Sequence, residues 1–151
     1  MELIADMYTI GVFHDIPWAD RGIAALISDG FDPASLSILA RSSDEVRRLV
    51  RTHLGTDGGT IELPRLGQLT AAGTLLTTLR GNDGALESAG LAAACARAGF
   101  QSHDGQIFEA LVERGGVLVG IESVARAADA LARLHAFGGG NAAIGAWAGR
   151  V

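Results

Sequence analysis

The sequence predicts one α+β domain, residues 1–151, with a ferredoxin-like core: two β-α-β halves form a four-stranded antiparallel sheet with both helices on one face. Strand, helix and strand patterns follow one another over residues 7–40, and the same succession recurs over residues 117–147. A mostly helical insert, residues 41–115, separates the halves between the second and third strands. The length suits a single domain with its own core.

The first half begins with a strand and a capped helix. Residues 7–13 alternate in the manner of a half-buried strand. Asp15 can cap the free N–H groups of the helix that follows, and Pro17 suits a first helical turn. Gly30 supplies the left-handed residue that ends this helix, and residues 36–40 (LSILA) are the second strand. The crossover between the two strands is expected to be right-handed.

The second half repeats this plan. Gly115 and the glycine after it break the backbone before a strand at residues 117–121 (VLVGI). Ser123 caps a helix whose apolar side chains recur at helical spacing, glycines 138–140 end it, and residues 142–147 form the last strand. This repeated order places two helices on one face of an antiparallel sheet.

The insert contains helix and strand signals of its own. Ser42 and Glu45 have the spacing of a capping box before a helix that reaches His53. The remaining predicted elements are a short strand at 60–63, helices at 68–79 and 85–98, and a helix that begins at Ser102. Because the second and third strands of a ferredoxin-like sheet are neighbours, the insert is expected at a hairpin tip.

Charge and composition exclude several classes of protein. The net charge is −5 and the 12 basic residues are scattered, so the chain lacks the basic surface that nucleic-acid binding needs. The longest uncharged apolar stretch, residues 66–79, is shorter than the roughly 20 residues of a bilayer span, which predicts no membrane insertion. The first residues carry no signal-peptide pattern and Cys95 is the single cysteine, which together predict a cytoplasmic protein.

Four histidines are the first candidates for metal or acid–base chemistry: His14, His53, His103 and His135. None of them has the HxxxH or HxH spacing of a metal site. His53 and His135 lie near predicted helix C-termini, where a cation complements the helix dipole, and His14 precedes a helix start. We therefore predict no metal site, no bound cofactor and no catalytic residue, although folding could still bring His14, His103 and His135 together.

The other polar motifs have structural interpretations. Cys95 lies in an alanine-rich segment, which indicates a packed thiol rather than a nucleophile. The glycine-rich segments 55–59 and 138–141 lack the sequence and the strand-to-helix context of a phosphate-binding loop, so we interpret them as connections. Three acidic pairs are predicted on solvent faces: Asp15/Asp20, Asp29/Asp32 and Glu109/Glu113.

Several of these segments resemble bacterial heat-induced and general stress proteins. Residues 9–41 are similar to the N-terminal part of that family, where a strand ending in Val-Phe precedes a helix ending in Gly-Phe; here these are Val12-Phe13 and Gly30-Phe31. Residues 89–122, with small-residue helices before Arg-Gly-Gly-Val-Leu-Val, and the Gly/Ala-rich centre at 66–73 continue the resemblance. The resemblance implies a non-catalytic, stress-associated protein and carries over no site residue.

Three functions are weighed, in decreasing order of support. The first is a non-catalytic stress-associated protein that acts by self-association or partner binding. The second is a small-molecule-sensing regulatory domain that binds its ligand at a subunit interface. The third is an enzyme or metal protein that uses His14, His103 and His135.

A homo-oligomer is expected because the reverse face of the sheet is apolar enough to need a cover. The insert helices or a second subunit could provide that cover. The residues predicted on the reverse face are Thr9, Gly11, Phe13, Leu39, Leu118, Gly120 and Trp147.

Overall fold

The computed structural model describes residues 8–81, 84–122, 126–136 and 143–144. The strands are β1 (Tyr8–Phe13), β2 (Leu36–Arg41), β3 (Gly59–Leu63), β4 (Gly67–Ala72), β5 (Val117–Glu122) and β6 (Ala143–Ile144). The helices are α1 (Ile16–Ser28), α2 (Asp44–Leu54), α3 (Thr74–Arg80), α4 (Ala85–Ala89), α5 (Leu91–Ala98), α6 (Ser102–Glu113) and α7 (Ala127–Ala136). The predicted α+β class is confirmed: the strands form one antiparallel sheet, and helices pack on it.

The sheet has six strands in the part of the chain that the structure describes, in the order β3-β4-β2-β5-β1-β6. Every neighbouring pair is antiparallel, and the register aligns Gly11 with Val119 and Ile61 with Leu69. The predicted number of four strands is wrong because the insert adds a hairpin, β3-β4, which pairs with β2. The strands that flank the insert, β2 and β5, are neighbours as expected.

The first half of the predicted helix at 68–79 is in fact strand β4. Leu69 and Ala71 pack in the cluster on one face of the sheet and Ala72 packs in the cluster on the other, which is the two-residue alternation of a strand. Gly73 (φ 102°) then turns the chain into α3. Small residues and threonine leave the period of this segment ambiguous, and pairing with β2 and β3 decides its conformation.

The predicted helix at 85–98 is divided into α4 and α5. Gly90 has φ 98°, a left-handed value that glycine adopts without strain, and it ends one helix and begins the next. The strand at 60–63 lies within β3, and the helix beginning at Ser102 is α6, so both of these predictions are confirmed.

One face of the sheet, which we call the outer face, is covered by α1, α2 and α7. Its cluster is aliphatic apart from two phenylalanines, and all its members are buried. The residues are Phe13, Ala19, Ile23, Leu26, Phe31, Leu36, Ile38, Ala40, Val46, Leu49, Val50, Ala72, Val117, Val119, Ile121, Ala130 and Leu134. The helices of the two β-α-β halves, α1 and α7, therefore share one face, and they share it with α2 of the insert.

The opposite face, which we call the insert face, is covered by α3 to α6. Leu39 and Leu118, which were predicted to need a cover, are fully buried there, and a Cβ at Gly120 would lie 2.7 Å from Leu75 of α3. Phe13 was assigned to the wrong face, and so were Thr9 and Gly11 on the same side of β1: Ile10 and Val12 pack on the insert face, while the Phe13 ring lies against Gly22 of α1. Trp147, also predicted on the reverse face, lies outside the described residues. The insert thus supplies the cover of the reverse face from within the chain.

Both ends of α1 form as the sequence predicts. Trp18 N–H donates to Asp15 Oδ1 at 3.0 Å, and Pro17 lies in the first turn. Gly30 has φ 95°, and Phe31 N–H returns to Leu26 O at 3.1 Å, which is the hydrogen bond of a glycine-terminated helix.

The cap of α2 is displaced by one residue from its prediction. Val46 N–H donates to Ser43 Oγ at 3.1 Å, so Ser43 rather than Ser42 caps the helix. The Ser42 hydroxyl instead lies 3.0 Å from Thr70 Oγ1 of β4. The predicted cap at Ser123 and the glycines at 138–140 lie outside the described residues, as does the last predicted strand apart from β6.

Candidate functional site

The structure does not bring His14 and His103 together. Both side chains are exposed, and His14 lines a small cleft of about 170 Å³ with Arg114, which follows the last residue of α6. His103 is the second residue of α6, so it lies about 16 Å along the helix from Arg114. The His135 side chain is outside the described residues. Among the residues that are described, no group of three or more His, Cys, Asp or Glu side chains could hold a metal ion.

His53 occupies the last turn of α2, as predicted, and it also has a partner on α1. Its Nε2 atom lies 2.7 Å from Asp20 Oδ1, and only 10% of the His53 side chain is exposed. This contact joins two helices of the outer face. The sequence gives no signal for it, because the two residues are far apart in the chain and become neighbours only when α1 and α2 pack.

Cys95 is a packed thiol. It is 0% exposed among small side chains of α5 and α6, where a Cβ at Gly105 would lie 3.2 Å from Cys95 Cβ. Burial, and secondarily the negative charge of Glu109, raise the pKa of the Cys95 thiol from 9.0 to about 12. Because the thiolate is the nucleophilic form, this cysteine is chemically inert at neutral pH.

The acidic side chains around α1 are exposed or half-buried, and each has a structural role. Asp15 caps α1 and Asp32 caps the short turn before β2, where Ala34 N–H donates to Asp32 Oδ1 at 2.9 Å. Asp29 forms an ion pair with Arg133 of α7. These residues therefore serve as caps and helix–helix contacts.

Glu109 contradicts the prediction of a solvent face for the third acidic pair, since it is 7% exposed. Its Oε1 accepts a hydrogen bond from Arg65 Nη1 at 3.1 Å, and its Oε2 accepts one from Ala92 N–H at 3.3 Å. Ala92 lies in the first turn of α5, which has no side-chain cap of its own. Glu109 thus supplies the capping acceptor from α6, and this requirement explains why a carboxylate is buried here.

Arg65 is the cation of this cluster and the one non-glycine residue with positive φ, 70°, in the described part of the chain. It lies in the turn between β3 and β4, and its second nitrogen, Nη2, is 3.2 Å from Glu113 Oε1. A left-handed arginine is strained, and its two carboxylate partners offset that strain. Arg65 therefore fastens the β3-β4 turn to α6; the sequence contains no signal that α6 lies beside this turn.

The glycine-rich segment 55–59 is a connection, as predicted. Gly55 (φ 69°) ends α2, and Gly58 (φ 70°) leads into β3 at a point where a Cβ would lie 2.9 Å from the Ala71 carbonyl oxygen. Segment 138–141 lies outside the described residues.

A cleft of about 530 Å³ opens between α1 and α2. Ile16, Pro17 and Leu49 give it an apolar lining, while Glu45 and Arg48 of α2 bring opposite charges to it. Neither Glu45 nor Arg48 makes a hydrogen bond or an ion pair with any described residue, whereas most described arginines have a partner. The cleft therefore combines apolar surface with two charges that the chain itself leaves unpaired.

Trp18, on α1, is the large apolar side chain that the described residues leave exposed, at 41%. The Arg21 guanidinium carbon lies 5.1 Å from the centroid of the Trp18 ring, in cation–π geometry. Tryptophan and arginine are the residue types most enriched among energetically important contacts at protein interfaces. The spacing of Trp18 in the sequence predicted a helical position, and exposure could not be inferred from that spacing.

The chain matches no protein-family model, no curated protein and no solved structure. In the described part of the chain, every helix is too short or too polar to cross a bilayer.

Proposed function

We propose that this chain is a non-catalytic, stress-associated protein that acts by self-association or partner binding through the outer surface of α1. The observation that carries the proposal is the exposed Trp18 with Arg21 stacked on it. An exposed indole costs solvation free energy in an isolated chain, and a partner that covers it recovers that free energy. The association with stress is supported by the sequence resemblance of residues 9–41 and 89–122.

The core that presents this surface is, in our proposal, a ferredoxin-like unit of β2, β5, β1 and β6. The order of these four strands, their antiparallel pairing and the packing of α1 and α7 on one face support it. The β3-β4 hairpin is then an extension at the β2 edge.

The non-catalytic part of the proposal is supported by what the reactive side chains do. Cys95 is held as a protonated thiol, Glu109 caps α5, and His53 is paired with Asp20. Each group is occupied by a structural contact. A buried, protonated cysteine also suits a reducing compartment, and the cytoplasm is the location we propose.

The packing of the insert limits which surface can self-associate. The sheet face that was expected to recruit a second subunit is buried under α3 to α6. A contact between subunits can therefore use the helical exterior or the exposed edge strand β3, and α1 carries the exposed aromatic residue that favours the helical exterior.

The test is the mass of the protein in solution, measured by light scattering from low to high micromolar concentration. We expect a mass above that of one chain, and a shift toward one chain in Trp18→Ala. Thr77→Ala, an exposed position on α3 of the opposite layer, is the matched control and should leave the mass unchanged. A single-chain mass at every concentration would contradict self-association.

A second candidate function is favoured by the cleft between α1 and α2. Its volume of about 530 Å³ is that of a small-molecule pocket, and the unpaired Glu45 and Arg48 suit a zwitterion such as an amino acid. This is the small-molecule sensor of the sequence analysis, with its ligand at the α1 surface. Thermal shift with amino acids and nucleotides tests it.

In that experiment the midpoint should rise with ligand concentration. Glu45→Gln and Arg48→Gln should reduce the rise, and Arg47→Gln, on the same helix but outside the cleft lining, should not. A flat response across both compound classes would argue against a ligand in this cleft.

A further inference from the structure

Trp18 and the cleft lie on opposite flanks of α1. Ile16 and Asp20, which line the cleft, are each two residues from Trp18 and so about 160° from it around the helix. Asp29, just over three turns beyond Trp18, lies on the same flank as Trp18 and pairs with Arg133 of α7. The exposed indole is therefore on the α7 side of α1 and the apolar cleft is on its α2 side.

We propose that the partner of this surface is a second copy of the chain, and that Trp18 of each copy enters the α1–α2 cleft of the other. The proposal rests on the self-association proposed above and specifies its contact. A two-fold axis parallel to α1 places the α7 side of one α1 against the α2 side of the other. Both Trp18-to-cleft contacts then form at once, as an isologous dimer requires.

The cleft has room for an indole and an apolar part against which its ring can pack. Its volume is about 530 Å³, with Ile16, Pro17 and Leu49 as the apolar lining, while Asp20, Glu45, Arg48 and Thr52 are the polar lining. Leu49 lies at the floor of the cleft and is held in place by the buried cluster of the outer face.

The charges around the two surfaces are complementary. Arg21 accompanies Trp18 and has no carboxylate partner among the described residues, while Glu45 in the cleft has no cation. Docking brings the Arg21 guanidinium to the rim that carries Glu45. Arg48, also in the cleft, can stack on the ring face that Arg21 leaves free, since guanidinium groups pack well on indole.

Analytical ultracentrifugation of charge variants tests this contact. Trp18→Ala, Arg21→Glu and Glu45→Arg should each weaken dimerisation by about tenfold or more. The double variant R21E/E45R reverses both charges and should restore dimerisation toward the wild-type constant. Arg47→Glu, an exposed position on α2 outside the cleft, is the control and should leave the constant unchanged. Circular dichroism confirms that each variant is folded.

Fluorescence supplies an independent measurement. The chain has two tryptophans, so Trp147→Phe leaves Trp18 as the single tryptophan, which is excited selectively at the red edge where Tyr8 does not absorb. Its emission should shift to the blue as concentration rises, because the indole leaves water for the partner's cleft. In W147F carrying E45R, the shift should require about tenfold more protein.

Three results would overturn the proposal. A monomeric wild-type protein would overturn both this contact and self-association. A wild-type dimer unaffected by Trp18→Ala and Glu45→Arg would leave self-association standing but place its interface elsewhere. Loss of dimerisation in Trp18→Ala, with no effect of Glu45→Arg and no rescue in R21E/E45R, would show that Trp18 binds a different surface from the cleft.

Discussion

The two helical layers of this protein differ in how much surface they leave open to other molecules. The outer layer, α1, α2 and α7, leaves an open cleft between α1 and α2 and an exposed tryptophan beside it. In the insert layer, α3 to α6, the buried carboxylate Glu109 is paired with Arg65 of the β3-β4 turn, which also contacts Glu113. The outer layer thus has the exposed tryptophan and a larger cleft with unpaired charges, whereas the cleft on the insert layer, of about 330 Å³, is lined by Arg65 and Glu109, which are paired with each other.

This difference indicates that the two layers have different roles, one in completing the fold and one in contacts with other molecules. The insert face needed a cover, and α3 to α6 supply it with fully buried residues such as Leu75, Leu79 and Phe108. The outer layer needs no further cover, yet it keeps surface of the kind that interfaces use. We infer that the insert completes the fold and that contacts with other molecules are made on the outer layer.

The largest expected effect tests whether the insert is integral to the fold. Phe108→Ala removes a fully buried ring that meets Phe100 edge-on at 6.4 Å between centroids. We expect a loss of about 3–5 kcal/mol in the free energy of unfolding, since truncation of a buried phenylalanine leaves a cavity. Urea denaturation followed by circular dichroism and fluorescence measures it. Phe13→Ala, at 0% exposure on the outer face, is the matched change and should cost about the same.

The urea unfolding curves also show whether the two layers unfold together. If both layers belong to one cooperative unit, the two probes should give coincident curves in both variants. A separate early transition in F108A alone, with the outer layer still folded, would mean that the insert is an accessory and would break the comparison.

A smaller effect is expected at the buried carboxylate of the insert layer. Glu109→Gln should lower the free energy of unfolding by about 2 kcal/mol, because it weakens the contact to Arg65 and the cap of α5 together. Glu113→Gln, whose side chain is 42% exposed, should cost less than about 0.5 kcal/mol. The same denaturation experiment compares the two. Equal losses of unfolding free energy in the two variants would show that the burial of Glu109 adds nothing to its contribution over that of Glu113.

The sequence predicted the first β-α-β half better than the middle of the insert. In the first half, the signals are local: Asp15 caps the helix that it precedes, and Gly30 ends it. The helix at 68–79 failed because Thr and Ala fit both a helix and a strand there, and only pairing with β2 and β3 selects the strand. Signals that act within one helix turn can be read from a sequence, whereas a choice made by partners distant in the chain cannot.

The candidate sites show the same limit. The absence of metal-ligand spacing could be seen in the sequence, and so could the packed setting of Cys95. The pairing of Asp20 with His53 and of Arg65 with Glu109 could not, because each joins residues on different elements. Glu109 was predicted on a solvent face because the sequence of α6 does not show that the uncapped start of α5 lies beside it.

The effect expected last is at Cys95, where nothing changes at neutral pH and stability depends on pH only in alkaline solution. Its folded pKa, about 12, lies above the value of 9.0 expected for the free thiol, so the folded state holds the proton more tightly. The stabilisation that follows is fully present below pH 9.0 and is lost progressively as pH rises toward 12. Urea denaturation between neutral and alkaline pH measures it.

Cys95→Ala is the control for this pH dependence. Tyrosine and arginine also titrate in the alkaline range, so the informative quantity is the difference in slope between the wild-type protein and C95A. We expect the wild-type slope to be steeper above pH 9.0, and a thiol reagent at neutral pH to label Cys95 only at the rate of unfolding. Identical slopes, or fast labelling of the folded protein, would show that Cys95 is accessible in the folded state and that the insert layer is not closed around it.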